Sequence, residues 1–274
     1  MNTTIETAKE NTVVNPDDYK GDDGLLYCGK CRTAKQCRIE FLGMIKTPFC
    51  LCKCQQEKRD REEEQRKQIE KQQEIARNRS IAFSDSPEFR NWTFENDDKA
   101  RPELTNAALK YVENFEKFKS HGKGLLIYGT VGTGKSFISG CIANELINRG
   151  YSVLMTSFAA IESRTFGADN KQEHYNNLNR YSLLIIDDLG IERQTSYMQE
   201  IVYNVIDNRC RMGLPLIVTS NLTNEQLRNP SDINAQRIYS RILQMCHPIK
   251  VDGIDRRKQA AQRDYVECKA ILGI

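Results

Sequence analysis

Between Tyr128 and Phe137 the chain reads Gly129-Thr130-Val131-Gly132-Thr133-Gly134-Lys135-Ser136. That is the G-x-x-x-x-G-K-[ST] spacing of a phosphate-binding loop. Glycines here permit backbone angles and a close approach that a Cβ would forbid. Successive N–H groups then point at an anion at the start of a helix, where the dipole also favours negative charge. Lys135 can neutralise β- and γ-phosphate oxygens, and the Ser136 hydroxyl can hold Mg2+. A glycine-rich turn arising by chance would lack the right surroundings. Gly124-Leu125-Leu126-Ile127-Tyr128 precedes the loop as an apolar run suited to a buried parallel strand. Phe137, Ile138, Cys141, Ile142 and Leu146 follow at helical spacing until Gly150. Strand, loop and helix together imply binding of a nucleoside triphosphate, with Gly129 through Phe137 as the binding set.

Two further strand ends carry groups suited to phosphate chemistry. Leu183-Leu184-Ile185-Ile186 runs into Asp187-Asp188, and in open α/β sheets ligands bind at the carboxyl ends of strands. Asp187 is the expected Mg2+ ligand beside Ser136, and Asp188 the expected general base toward an attacking water. Pro215-Leu216-Ile217-Val218-Thr219 ends in Ser220-Asn221. The Asn221 amide can sense the γ-phosphate or the water; a plain turn residue is the other reading. Gln236-Arg237-Ile238-Tyr239-Ser240-Arg241 puts two arginines at i and i+4 on one helical face. An arginine aimed at a neighbouring subunit's γ-phosphate stabilises the transition state. Arg241 is the first candidate for such a finger and Arg237 the second, against a reading of both as solvated charge. The catalytic set is therefore Lys135, Asp187, Asp188, Asn221, Arg241 and Arg237. A finger would make hydrolysis depend on oligomerisation.

Ten cysteines are many for a reducing compartment, and six of them lie between Cys28 and Cys54. Cys28-Gly29-Lys30-Cys31 is a C-x-x-C knuckle, and Cys50-Leu51-Cys52-Lys53-Cys54 offers three more thiols after an interval of eighteen residues. Two clusters at this separation fit a tetrahedral Zn2+ site. Cys28 and Cys31 would bind with two of Cys50, Cys52 and Cys54, and the spacing leaves open which two. Cys37 precedes an alternating strand, Arg38-Ile39-Glu40-Phe41, and is expected to face inward as a spare thiol. An iron–sulfur cluster would equally use four thiolates, and a redox C-x-x-C would need a thioredoxin-like βαβ setting. A region of about fifty residues with few apolar side chains needs such a staple to fold. Docking a protein partner is its expected role. Cys141, Cys210, Cys246 and Cys268 are scattered and read as small core or surface residues.

Positioning these groups requires an α/β domain, and 274 residues allow one plus a smaller module. Residues 1–56 hold the cysteine cluster. Residues 57–88 read as a charged helical linker, since Gln55 to Arg79 is nearly all Glu, Gln, Lys and Arg. Such a run makes a solvated helix with i,i+4 ion pairs, but no core and no heptad seam. Residues 89–274 carry the nucleotide-binding domain, where apolar periodicity returns. A helical stripe is predicted from Pro102 to Phe118 and a strand from Tyr151 to Thr156. Met198, Ile201, Val202, Val205 and Ile206 predict another helix, capped by Thr195 or Ser196. This alternation predicts a parallel, doubly wound sheet. A net charge of +3 is too mild to demand a polyanion, so nucleic-acid contacts must come from local patches. No apolar run is long enough to span a bilayer, and the polar N-terminus has no signal-peptide core, so a cytoplasmic protein is expected.

Four segments together resemble the AAA+ ATPases of the DnaC/DnaI helicase-loader and IstB transposition-helper group, over Asn91 to Lys258. They are Gly129 to Ser136, Ile185-Ile186-Asp187-Asp188-Leu189-Gly190, Val218-Thr219-Ser220-Asn221-Leu222 and Arg237-Ile238-Tyr239-Ser240-Arg241. Phe89 to Asn96 is similar to the segment that packs near the nucleotide base in that group. The resemblance implies an AAA+ P-loop fold, ATP with Mg2+, slow or partner-stimulated hydrolysis and an ATP-dependent homo-oligomer. It also implies a grip on single-stranded DNA and on a DnaB-like replicative DNA helicase. DNA contacts would come from Phe158 to Phe166 and from Arg193 to Tyr197. Arg164 and Arg193 would meet phosphates, while Phe166 and Tyr197 would stack on bases or pack internally. Two departures stand out. Asp188 replaces the usual glutamate with a shorter carboxylate, as IstB-like members also do. Little chain follows Asp255-Arg256-Arg257-Lys258, so a helical lid is expected to be absent and no second sensor arginine is assigned. By analogy with DnaI-type loaders, the zinc module would hold the helicase. Loading of a hexameric replicative helicase is the leading expectation, and phage-encoded relatives of loaders share this layout. The alternatives are an IstB-like transposition helper on duplex DNA and a zinc adaptor that binds nucleotide with little hydrolysis. The zinc module and charged lever favour the loader, because IstB-like proteins begin with a helical segment.

Overall fold

Few apolar side chains precede residue 53, and the elements there are correspondingly short. The computed structural model describes residues 14–41, 43–166, 170–190, 195–230 and 232–272, and divides into two units, Met1–Gln73 and Glu74–Ile274. In the first unit, β1 (Tyr19–Lys20) pairs antiparallel with β2 (Leu26–Tyr27), and β3 (Ile39–Phe41) with β4 (Met44–Lys46). Cys28 N–H donates to Thr33 O and Arg32 N–H to Cys28 O, which folds the C-x-x-C knuckle. Behind it lies a buried ion pair, Lys35 Nζ to Asp18 Oδ2 at 2.6 Å. Asp18 also accepts from Gly29 N–H at 3.2 Å. As the charged run predicted, a single 30-residue helix, α1 (Lys53–Ala82), follows. Lys58–Glu62, Glu63–Lys67 and Arg66–Glu70 line it as i,i+4 ion pairs.

The second unit is built on five parallel strands: β5 (Gly124–Tyr128), β6 (Val153–Ser157), β7 (Leu183–Leu189), β8 (Leu216–Ser220) and β9 (Cys246–Lys250). Their order across the sheet is β6-β7-β8-β5-β9. The helices are α2 (Pro102–Glu113), α3 (Phe115–Ser120), α4 (Lys135–Asn148), α5 (Phe158–Thr165), α6 (Lys171–Leu178), α7 (Ser196–Arg211), α8 (Asn224–Arg228), α9 (Ile233–Met245) and α10 (Arg256–Leu272). Alternate strand residues feed two buried layers. Leu126, Leu184, Ile186 and Val218 pack with Ile201 and Val205 of α7 and Ile238 and Ile242 of α9. Leu125, Ile127, Ile185 and Ile217 pack with Tyr111 and Val112 of α2 and Ile138 and Ile142 of α4. Cover on both faces is why the central strands read as unbroken apolar runs. The predicted parallel α/β sheet is therefore present.

Several details differ from expectation. The Pro102–Phe118 stripe is two helices, because Asn114 leaves helical geometry (φ −103°, ψ 18°) and its amide donates to Lys110 O at 2.9 Å. That side-chain bond competes with continuation of the helix. β9 had no apolar signal. It holds His247 and Pro248 at the sheet edge, where a missing ladder donor is tolerated. Thr195, not Ser196, caps α7, its hydroxyl accepting from Met198 N–H at 3.2 Å. The segment after Asp255, from which no lid was expected, forms the single helix α10. Arg209 of α7 is fully buried, donating twice to Pro215 O and once to Leu178 O, and so fastens the entry to β8. Among the described residues, no helix is long and apolar enough to cross a membrane.

Candidate nucleotide site and cysteine centre

Because β5 and β8 are neighbours, the phosphate loop meets the end of β8: Gly129 N–H donates to Ser220 O at 3.1 Å. Thr133, buried inside the loop, has its Oγ1 2.8 Å from Thr130 O and 3.2 Å from Val251 O. Gly132 takes φ +72°, and a Cβ there would fall 1.8 Å from Asp255 Oδ1. The segment entering α10 thus demands glycine at that place. Lys135, buried in the first turn of α4, donates to Gly129 O (3.1 Å) and Thr130 O (2.7 Å). Burial lowers its pKa, and the charge of Asp188 opposes that shift. A buried ammonium satisfied by two loop carbonyls fits a site whose ligand is a polyphosphate.

The acidic pair sits on a β-bulge. Ile186 pairs with Val218 and Leu189 with Ser220, so Asp187 and Asp188 together oppose Thr219. Asp188 adopts φ +60°, a left-handed conformation in which aspartate is tolerated. Thr219 holds both acids: its hydroxyl donates to Asp187 Oδ1 at 2.6 Å and accepts from Asp188 N–H at 2.8 Å. Ser220 Oγ donates to Leu189 O at 2.7 Å. Burial raises the pKa of Asp187, while hydrogen bonds from Thr219 and then Ser136 pull it back. Ser136 and Asp187, the two expected Mg2+ ligands, are thus near enough to influence each other, which fits a shared cation. Asn221 Nδ2 approaches Asp188 Oδ1 at 3.4 Å. Lys135, Ser136, Asp187, Asp188 and Asn221, drawn from three separate stretches of sequence, come together here.

Other segments complete the rim. Phe89 and Trp92 stack at 3.8 Å, Trp92 lies 5.8 Å from the ring of Phe137, and a Cβ on Gly140 would meet Trp92 at 2.7 Å. The Asn144 amide ties this segment to α4 by donating to Phe89 O and Trp92 O, both at 2.9 Å. Sequence reading missed Thr219, Asp255, Arg256 and Arg257. Arg256 N–H donates to Gly132 O at 2.9 Å, and its guanidinium pairs with Asp98 at 3.2 Å. Arg257 acts electrostatically on Lys135. Thr219 was legible only as the alternate residue before Asn221 on a central strand.

The two finger candidates lie on α9. Arg241 is held by Asp207 (3.3 Å) and Gln244 (3.1 Å), while Arg237 is exposed. Of the DNA candidates, Arg164 is bonded to Asp85 and to Ser84 Oγ. Phe166 is 80% exposed. Tyr197 packs against the core, with Lys171 Nζ 4.6 Å from its ring centroid. Arg193 lies outside the described residues.

In the first unit, the sulfurs of Cys28, Cys31, Cys52 and Cys54 all lie within 4.8 Å of one another. Cys28–Cys54 is 3.7 Å and Cys52–Cys54 is 3.4 Å. Tetrahedral Zn–S bonds of about 2.3 Å require S···S separations of about 3.8 Å, so these four thiols fit a zinc ion. Cys50 is not among them, because its Sγ turns to Ala34 O at 3.6 Å. Cys37 is exposed rather than inward-facing. Thr33 Oγ1 accepts from Lys53 N–H at 2.9 Å and lies 3.1 Å from Cys31 Sγ, to which its hydroxyl donates once that thiol is ionised. Burial opposes ionisation of Cys31, but that hydroxyl and further hydrogen bonds bring its pKa down to about 5. The hydrogen bond to Cys52, and then burial, push Cys54 up to about 12.

Replacing Thr219 by valine keeps the shape and leaves the Asp188 N–H unpaired, at a cost of about 1–3 kcal/mol. Denaturant unfolding should show that loss together with weaker Mg2+-dependent nucleotide binding; an unchanged midpoint would refute the clamp. Cys52→Ser and Cys54→Ser should each lose stoichiometric zinc by elemental analysis, whereas Cys50→Ser should retain it. Loss of zinc from the Cys50 variant would reassign the ligands.

The sequence model of the family described as "IstB-like ATP binding protein" matches residues 51–264. The replicative helicase loader DnaI of Bacillus subtilis (strain 168) is 30% identical over 181 residues, 60% of this chain and 58% of that protein. The replicative helicase loader DnaC of Escherichia coli (strain K12) is 29% identical over 161 residues, 57% and 64% of the two chains. Each match spans less than two thirds of the relative's length. A crystal structure of DnaI aligns with a TM-score of 0.51 at 26% identity, covering 62% of this chain and 92% of that one. The AAA+ P-loop fold is borne out, and the extent of the family match makes this chain a member of the IstB-like ATP-binding proteins.

Proposed function

We propose that the protein is an ATP-switched loader that places a hexameric replicative helicase on single-stranded DNA in the cytoplasm. The observation that carries this reading is the Thr219-clamped acid pair beside the phosphate loop, in a chain similar to DnaI and DnaC and carrying a separate four-thiol centre. Lys135 would exchange its loop carbonyls for phosphate oxygens. Ser136 and Asp187 would hold Mg2+, which screens phosphate charge when bound. Asp188 would take the proton of the attacking water, and Asn221 would orient that water. The finger would come from a neighbouring subunit in an ATP-dependent homo-oligomer. Arg241 reaches a neighbour only by leaving Asp207, whereas exposed Arg237 needs no such exchange. The zinc module would dock the helicase. Phe166 offers bases an exposed ring, and Arg164 would meet phosphates on releasing Asp85.

The test uses purified protein, the replicative helicase of its host and circular single-stranded DNA. ATP should raise the amount of helicase recovered on the circle, and Lys135→Ala should abolish both this gain and the nucleotide-dependent change in Trp92 fluorescence. Arg237→Ala or Arg241→Ala should slow hydrolysis about tenfold or more without loosening nucleotide binding. No gain over helicase alone, with a transposase bound instead on duplex DNA, would replace this reading with that of a transposition helper.

A further inference from the structure

Away from the nucleotide site, α2, α3, the end of α9 and the edge strand β9 wall an open groove of about 860 Å3. Its floor is apolar, made by Tyr111, Phe118, Leu125, Leu243, Met245 and Ile249. The rim is of one sign. Lys110, Lys117 and Lys123 stand around it with His121 and His247, and among the described residues no carboxylate lines it. In a chain with 40 basic and 37 acidic residues, that sorting is local rather than a reflection of net charge. Lys123 is tied down by donating to Gln244 O at 2.7 Å, whereas the side chains of Lys110 and Lys117 are on exposed residues.

The strand edge limits what can enter. Val251 N–H donates to Tyr128 O, so residues 247, 249 and 251 turn their backbone groups toward β5. Residues 246, 248 and 250 face outward, and residue 248 is proline. An added strand would find no donor at the centre of this edge. Recognition must therefore run through side chains. We propose that this groove docks an acidic amphipathic helix of a partner protein, its apolar stripe on the Phe118–Met245 floor and its carboxylates against Lys110 and Lys117. The proposal stands whether or not the loader reading does.

The probe is a fluorescein-labelled synthetic helix with leucines on one face and glutamates on the other; a control helix replaces the glutamates with lysines. The acidic helix should bind saturably in fluorescence anisotropy, more weakly at raised salt. Lys110→Glu with Lys117→Glu should weaken it about tenfold or more, and Lys117→Gln alone should give a smaller loss of the same sign. Thermal unfolding and ATP affinity should stay unchanged in these surface variants. Equal binding of the basic helix, or indifference to the charge reversals, would overturn the proposal. So would displacement of the probe by oligothymidylate, which would make nucleic acid the occupant. A change in sedimentation of the reversed variants alone would instead mark a contact between copies of this chain and would equally overturn it.

Discussion

Two carboxylates at the end of one strand must stand side by side, partly out of water, and stay available for a cation. Burial first, and then the neighbouring charge of Asp188, raise the pKa of Asp187. The structure answers with three consecutive residues of β8 and its exit. Thr219 bridges the two acids, Ser220 holds the carbonyl of Leu189 just beyond them, and Asn221 approaches Asp188. A regular ladder could not bring both carboxylates to this edge, because successive side chains alternate between faces. The bulge and the left-handed Asp188 remove that alternation at one step. Strand order matters equally, since β8 lies between the acids and the phosphate loop and so touches both.

Charge balance follows from the same arrangement. Lys135 is buried among Asp187, Asp188 and Asp252 on one side of the ledger and Arg257 on the other. Its ammonium rests on carbonyls of its own loop, so the loop is closed on itself by a bond that phosphate oxygens can replace. Two stretches distant in sequence meet at this loop. The segment around Asp98 reaches it through Arg256, and residues 251–256 cross it by way of Thr133, Gly132 and Asp255. The aromatic pair Phe89–Trp92 is fixed to α4, the helix that follows the loop, through the Asn144 amide.

Much of this was legible because strong local signals agreed. Gly129 to Ser136 lay between a buried run and a helical stripe, and Asp187-Asp188 ended a run of four apolar residues. Those signals act over a few residues. The elements that escaped depend on distant partners. β9 is a strand only because β5 offers it an edge, and its proline and histidine hide that pairing. Asn114 broke a stripe whose apolar spacing was continuous, since periodicity does not register a side chain bonding back to its own backbone. Thr219 looked like an ordinary strand threonine until the register placed two acids opposite it. Among the thiols, spacing allowed Cys50, Cys52 or Cys54; the bridge Gln36↔Phe49 turned Cys50 aside.

The two units are stabilised by different physics. In the second, apolar layers on both sheet faces are buried, and the polar site is an edge feature of a core that would exist without ligand. Among the described residues the first has no comparable core: Ile39, Phe41 and Met44 lie on one face of the β3–β4 hairpin and are each about half exposed. What is buried there is an ion pair, Lys35–Asp18, and the thiols of Cys28 and Cys52. Four sulfurs this close cannot all be thiolates unless a cation sits among them, as the opposite shifts of Cys31 and Cys54 indicate. A metal held by these thiols would couple its binding to folding of the first unit, whereas the second unit has apolar layers that form its scaffold without one.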